Sequence, residues 1–220
     1  PDGDEALASL QSTTILSGHP PADVGYPVRF IFEEGEWRYA GEYDSTAESE
    51  HFVLRLPPED RERAEGILSS AEAIYRQVVS DLQARPPLSQ TLVVYADQAR
   101  FRDSVGYAVS EEADSWTAPG QPIKLWARPG STRSLEAGIA RELTSQVMHA
   151  RGIETAWLHA GVGALEVDRT LPLGSHWGAA SRESRMREAL ASDEQLRWEE
   201  LEAFHGLPQE DLTLARAQAW

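Results

Sequence analysis

Apolar positions along this chain change their spacing several times, and each change predicts a different element. From Tyr26, the residues Val28, Phe30 and Phe32 alternate with Arg29 and Ile31. Trp37 to Tyr39 and His51 to Leu56, with Phe52, Leu54 and Leu56 on one side, follow after Gly and Asp-Ser breaks. A period of two between turn residues predicts antiparallel strands. Pro57-Pro58 stops the third of them, and over Glu59 to Gln83 the spacing becomes helical, through Ala64, Ile67, Leu68, Ala71, Ile74, Tyr75, Val78, Val79 and Leu82. After Pro86-Pro87, Thr91 to Ala96 is a short β-rich run, and Asp97 is placed to cap a brief helix through Phe101 to Val105. Residues 106–121 read as a loop or irregular strand around Trp116, and Ile123 to Ala127 as a strand before Pro129-Gly130.

Two adjacent helices come next. Ser131 or Ser134 caps the first, which runs to about Arg151 and ends at Gly152; Thr155 or Ala156 begins the second, which passes Val167 and stops at Leu171-Pro172. Ser181 to Ala191, Trp198 to Phe204 and Gln209 to Trp220 are helical in composition. Strands precede helices, so the fold class is α+β. Residues 1–25 mix Asp, Glu, Ser, Gly and Pro around Thr14-Ile15-Leu16 and read as an acidic tail or linker, leaving 26–220 as one domain.

Composition narrows the function classes. With 220 residues, 41% of them apolar, the chain can bury roughly 70% of its unfolded surface and needs no staple. Zero Cys excludes disulfides, thiol chemistry and Cys-ligated metal sites. A formal charge of −16 repels phosphate backbones, so no nucleic-acid partner is expected. No stretch approaches the roughly 18 apolar residues of a membrane span, so no membrane insertion is expected of this chain. Because it begins at Pro1, a removed signal, anchor or preceding domain is compatible with it.

The chemistry is concentrated in Ala140-Arg141-Glu142-Leu143-Thr144-Ser145 and, one turn later, Trp157-Leu158-His159-Ala160-Gly161-Val162-Gly163-Ala164-Leu165-Glu166. This pair of segments resembles the peptidase MA-like domains of the gluzincin metallopeptidase clan, where the first helix reads His-Glu-x-x-His and the next reads close to Trp-Leu-Asn-Glu-Gly-Leu-Ala-Glu. In that framework two His four apart share a Zn²⁺, a carboxylate between them activates water, and a Glu from the next helix completes the site. The resemblance places the ligand positions on Arg141, Ser145 and Ala160 and the general-base position on Glu142. Arg cannot deprotonate to bind a metal, Ala has no donor and a neutral Ser hydroxyl is a poor ligand, so no zinc and no other cofactor is expected. The resemblance covers about residues 50–220: His51 to Leu56 would open the domain, Ile123 to Ala127 would border the cleft, and 214–220 would begin a helix that continues past Trp220. It implies a zincin-like α+β domain and, with the acidic tail, an extracytoplasmic or cell-envelope location.

Other assignments compete at each residue. Arg141 beside Glu142 is expected to keep the carboxylate ionised, and Glu142 or Glu166 to partner Arg141. His149 lies about 10 Å along the helix from Glu142, too far for one shared ion, which makes His149 and His159 ordinary surface or helix-end residues. Ser145 and His149 are within hydrogen-bond spacing, yet no acidic third member follows, and a serine hydrolase is not expected. The Trp residues at 116, 126, 157, 177 and 198 read as packing, Asp193-Glu194 and Glu199-Glu200 as a solvated face, and Gly161-x-Gly163 as no phosphate loop, since no strand precedes it.

The leading expectation is therefore a catalytically inactive, metallopeptidase-like domain that binds a peptide or protein segment. The expected cleft residues are Glu142, Met148, Trp157, His159, Ile123 and Leu125; the ligand would add to Ile123–Ala127, with Arg141 meeting a carboxylate. One alternative is an atypical metal-dependent peptidase using Glu142, His149, His159 and Glu166. Another is a structural module of a larger envelope or secreted protein.

Overall fold

The protein was analysed as a computed structural model that describes residues 4–14, 22–42, 44–86, 89–105, 113–171, 184, 187–192 and 196–202. Eight strands fall into two sheets among these residues. The first is an antiparallel meander of β1 (Glu5–Thr14), β2 (Ala22–Glu33) and β3 (Glu36–Glu42). Within the stretch read as a tail, 5–14 and 22–25 are strand: Glu5 pairs opposite Ile31, Thr14 opposite Ala22, and β2 begins at Ala22 rather than Tyr26. Little is buried along β1, with Leu7 56% and Leu10 36% exposed. Its backbone ladder is what orders it, and side-chain patterning carries no trace of a ladder. Glu34 and Gly35 both take positive φ, 55° and 85°, the conformation that closes a two-residue hairpin with the right twist.

The second sheet contains β4 (Ser45–Glu48), β5 (Phe52–Leu56), β6 (Gln90–Tyr95), β7 (Ser115–Trp116) and β8 (Ile123–Trp126), in the order β4-β5-β6-β8-β7. β5, β6 and β8 run parallel, while β4 and β7 flank them antiparallel. Parallel neighbours need crossovers. The first is a 3-10 turn, Pro58–Arg63, leading into α1 (Ala64–Leu82); the second contains α2 (Gln98–Val105). Asp97 Oδ1 accepts the Arg100 amide at 3.0 Å, the cap expected of it.

One face of the sheet presents Phe52, Leu54, Leu92, Val94, Ile123 and Leu125 to α1 and α3 (Thr132–Ala150), each 3% exposed or less. Each such side chain contributes roughly 1.5–3 kcal/mol by leaving water. Ile123 and Leu125 therefore lie in this core and line no cleft. The other face sets Val93 and Tyr95 against Phe101 and Val105 of α2, with Trp116 and Trp126 at its rim. Arg100 Nη2 donates to Glu42 Oε2 at 2.6 Å, tying α2 to the first sheet.

Ser131 Oγ accepts the Ser134 amide at 3.2 Å and caps α3, and Gly152, at φ 73°, follows its end. α4 (Ala156–Thr170) packs along α3, and α5 (Trp198–Glu202) closes against α4 through Leu201. The helix expected over 181–191 is described at 184 and 187–192, which are helical; Gln209 to Trp220, Trp177 and Asp193-Glu194 lie outside the described residues. No described helix is long and apolar enough to cross a membrane.

Helix α3 meets the sheet at Gly138. A Cβ there would fall 2.8 Å from Leu125 Cδ2 and 3.0 Å from Ser115 Cβ. Gly138→Ala gains about 1 kcal/mol of helix propensity, but overpacking at that distance costs about 1–3 kcal/mol. Chemical denaturation is expected to show a net loss of stability for the variant, in contrast to Gly66→Ala, where the space is open.

Candidate functional site

The face of α3 that carries the motif looks towards β7 on one side and α4 on the other. On the β7 side, Arg141 Nη2 donates to Asp114 Oδ1 at 2.8 Å and to Ser115 Oγ at 2.6 Å, while its Nε lies 3.4 Å from Glu142 Oε1. Ser115 Oγ donates its one hydrogen bond to Glu142 Oε1 at 2.6 Å. Ser134 Oγ donates to Asp114 Oδ2 at 2.6 Å, and Arg128 Nε approaches the same oxygen at 3.5 Å. Two acids and two guanidiniums thus compensate one another around one hydroxyl. Of the two partners expected for Arg141, Glu142 is present; Glu166 is not, because it pairs with Arg169 at 3.3 Å.

Burial raises the Glu142 pKa above the ordinary carboxylate range, with Arg141 and the Ser115 hydroxyl pulling the other way. The expectation that Arg141 simply keeps Glu142 ionised overlooked this desolvation. One turn on, Gln146 is 4% exposed and the two protons of its Nε2 are shared among Thr117 Oγ1 at 2.5 Å, Ala118 O at 2.8 Å and Gln121 O at 3.1 Å. Sequence reading passed over Gln146; a lone Gln inside an otherwise apolar helix stripe was the available signal.

On the α4 side, Ser145 Oγ lies 2.9 Å from His159 Nδ1, and His159 Nε2 lies 2.7 Å from the Ile153 carbonyl. A carbonyl can only accept, so Nε2 carries the proton and Nδ1 receives the Ser145 hydroxyl. Burial lowers the His159 pKa, which favours this neutral form. His149 stacks obliquely on His159 with ring centroids 4.4 Å apart and contacts Glu154 at 3.1 Å. The serine's partner is therefore His159, across the helix pair, and not His149 on its own helix. Arg141 Cγ would stand 3.2 Å from a Cβ on Gly163, so this glycine serves close packing of α4 on α3.

The remaining candidates fall elsewhere. Ala160 and Trp157 pack against Leu201 of α5, and Met148 is 4% exposed within the interior. Trp126 lies beneath Arg128 and Trp116 beneath Lys124, with cations 5.0 and 5.2 Å from the ring centroids. Glu199 is exposed, and Glu200 Oε2 accepts the Arg197 amide at 2.6 Å. His149 and His159 meet, but Glu142 and Glu166 do not join them. The only three-donor group among the described residues is Glu50, His51 and Glu72, far along the sheet.

Arg141, Ser145 and Ala160 do not fit a zinc ion: the first is a cation held by acids, the second spends its proton on an imidazole, and the third turns to α5 without a donor atom. A scan against family models finds no match for this chain, and a search of curated proteins finds none either.

Glu166 is fully buried, and burial together with Asp81 lifts its pKa from 4.5 to about 7 against the pull of Arg169. Between those values the native state keeps a proton that the unfolded chain has released. Stability therefore falls as pH rises from 4.5 towards 7, and above it the charge costs on the order of 3 kcal/mol. Glu166→Gln mimics the protonated acid. Thermal melts are expected to show the variant several degrees above the parent at pH 8 and level with it near pH 4.5.

Proposed function

We propose that this chain is a metallopeptidase-like domain without peptidase chemistry, used to hold an extended peptide or protein segment. The observation that carries this reading is that each polar group at the motif positions is engaged by a protein partner: Arg141 by Asp114 and Ser115, Glu142 by Ser115, and Ser145 by His159. A water-activating site needs a donor set left open to the metal and the substrate, and here each donor faces a protein partner. The mixed α+β architecture, with α3 and α4 adjacent, is what supports this reading at the level of fold class.

The place of the ligand differs from the first expectation. β8 has β7 on its outer side, so a segment would add to β7, the outermost strand on this flank among the described residues. Arg141 then positions that strand through Asp114 rather than meeting a ligand carboxylate. The atypical-peptidase alternative has less support, because Glu142 and Glu166 stand apart from His149 and His159.

Restoring the framework tests the assignment. If the residue positions correspond, Arg141→His, Ser145→His and Ala160→Glu combined will retain about one zinc after desalting, measured by elemental mass spectrometry, where the parent retains none and cleaves no casein. A folded triple variant without zinc removes the correspondence, and a stoichiometric zinc in the parent removes the inactive reading.

A further inference from the structure

At the opposite flank of the sheet, β4 pairs with β5 on one side only, and its outer backbone edge faces no strand among the described residues. A groove of about 950 Å³ runs between this edge and the first turns of α1, with Leu56, Ala64 and Leu68 in its lining. That volume lies within the range of ligand clefts. Five carboxylates line it, from Glu48, Glu59, Glu62, Glu65 and Glu72, against one cation, Arg61.

These acids do not converge as a metal site would. The only three-donor group near them is Glu50, His51 and Glu72, and both Glu72 oxygens already accept protons, Oε1 from Ser49 Oγ at 2.7 Å and the His51 amide at 2.8 Å, Oε2 from the His51 ring at 2.8 Å. The other carboxylates are strung along the groove. A row of separated negative charges beside an open strand edge suits a row of separated positive charges on an extended backbone. A second copy of this chain, at −16, is the wrong partner.

We propose that the groove between β4 and α1 accepts a Lys- or Arg-rich segment of another protein as an added strand, its backbone on β4 and its basic side chains over the groove acids. The proposal is independent of the metallopeptidase reading, which concerns the other flank.

The test uses the full chain and a fluorescein-labelled peptide of eight alternating lysines and valines, followed by anisotropy. Saturable binding is expected. The pair Glu62→Lys and Glu65→Lys should weaken it at least about tenfold, whereas Glu33→Lys and Glu36→Lys, the same change of net charge on the first sheet, should leave it within about twofold. A peptide N-methylated at every second residue, which removes one edge of donors, should lose most of its affinity. No saturable binding, equal weakening by both charge reversals, or undiminished binding of the N-methylated peptide would each overturn the proposal.

Discussion

Helix α3 approaches the outer strand of the sheet so closely that one residue, Gly138, has no room for a side chain between Leu125 and Ser115. Everything on the β7 flank follows from that contact. At successive turns the helix offers Ser134, Gly138, Arg141 with Glu142, and Gln146, and each engages β7, the residue before it or the turn after it. A two-residue strand has almost no ladder of its own. Its position is set by a helix, through side chains, and α4 inherits its own position from the same helix through Gly163 and the Ser145 and His159 pair.

The chemistry of this flank is closed where that of α4's far end is open. Around Asp114 the charges are matched and the Ser115 hydroxyl has both a donor and an acceptor role filled, so part of the desolvation of Glu142 is repaid locally. Glu166 Oε2 lacks a hydrogen-bond partner while Asp81 lies near. Burial raises both glutamates and each has a guanidinium beside it, but only Glu142 also accepts a hydroxyl proton in a hydrogen bond.

Most of the helices and core strands were legible in the sequence, because α1, α3 and β5 bury one side and their apolar spacing records it, while β6, buried on both faces, shows as a short continuous apolar run. Caps were legible too: Asp97 and Ser131 do what their residue types predict. β1 and β4 were missed for a common reason, since exposed or half-exposed strands with few core contacts leave no periodic trace. The site was half legible. Arg141 and Glu142 were singled out correctly as partners, but Asp114 and Ser115, 27 residues earlier, join them only through the pairing of β7 with β8. His159 found Ser145 because α4 folds back along α3, a relation that spacing within one helix cannot express.

Among the described side chains of the first sheet Val28 is the buried apolar one, and the sheet contacts α2, where Arg100 bonds Glu42. β6, by contrast, has parallel neighbours on both sides, so neither can form until a helix has crossed. The meander is therefore built from contacts close in sequence and the central sheet from contacts that span whole helices, so hydrogen exchange is expected to open the first before the second.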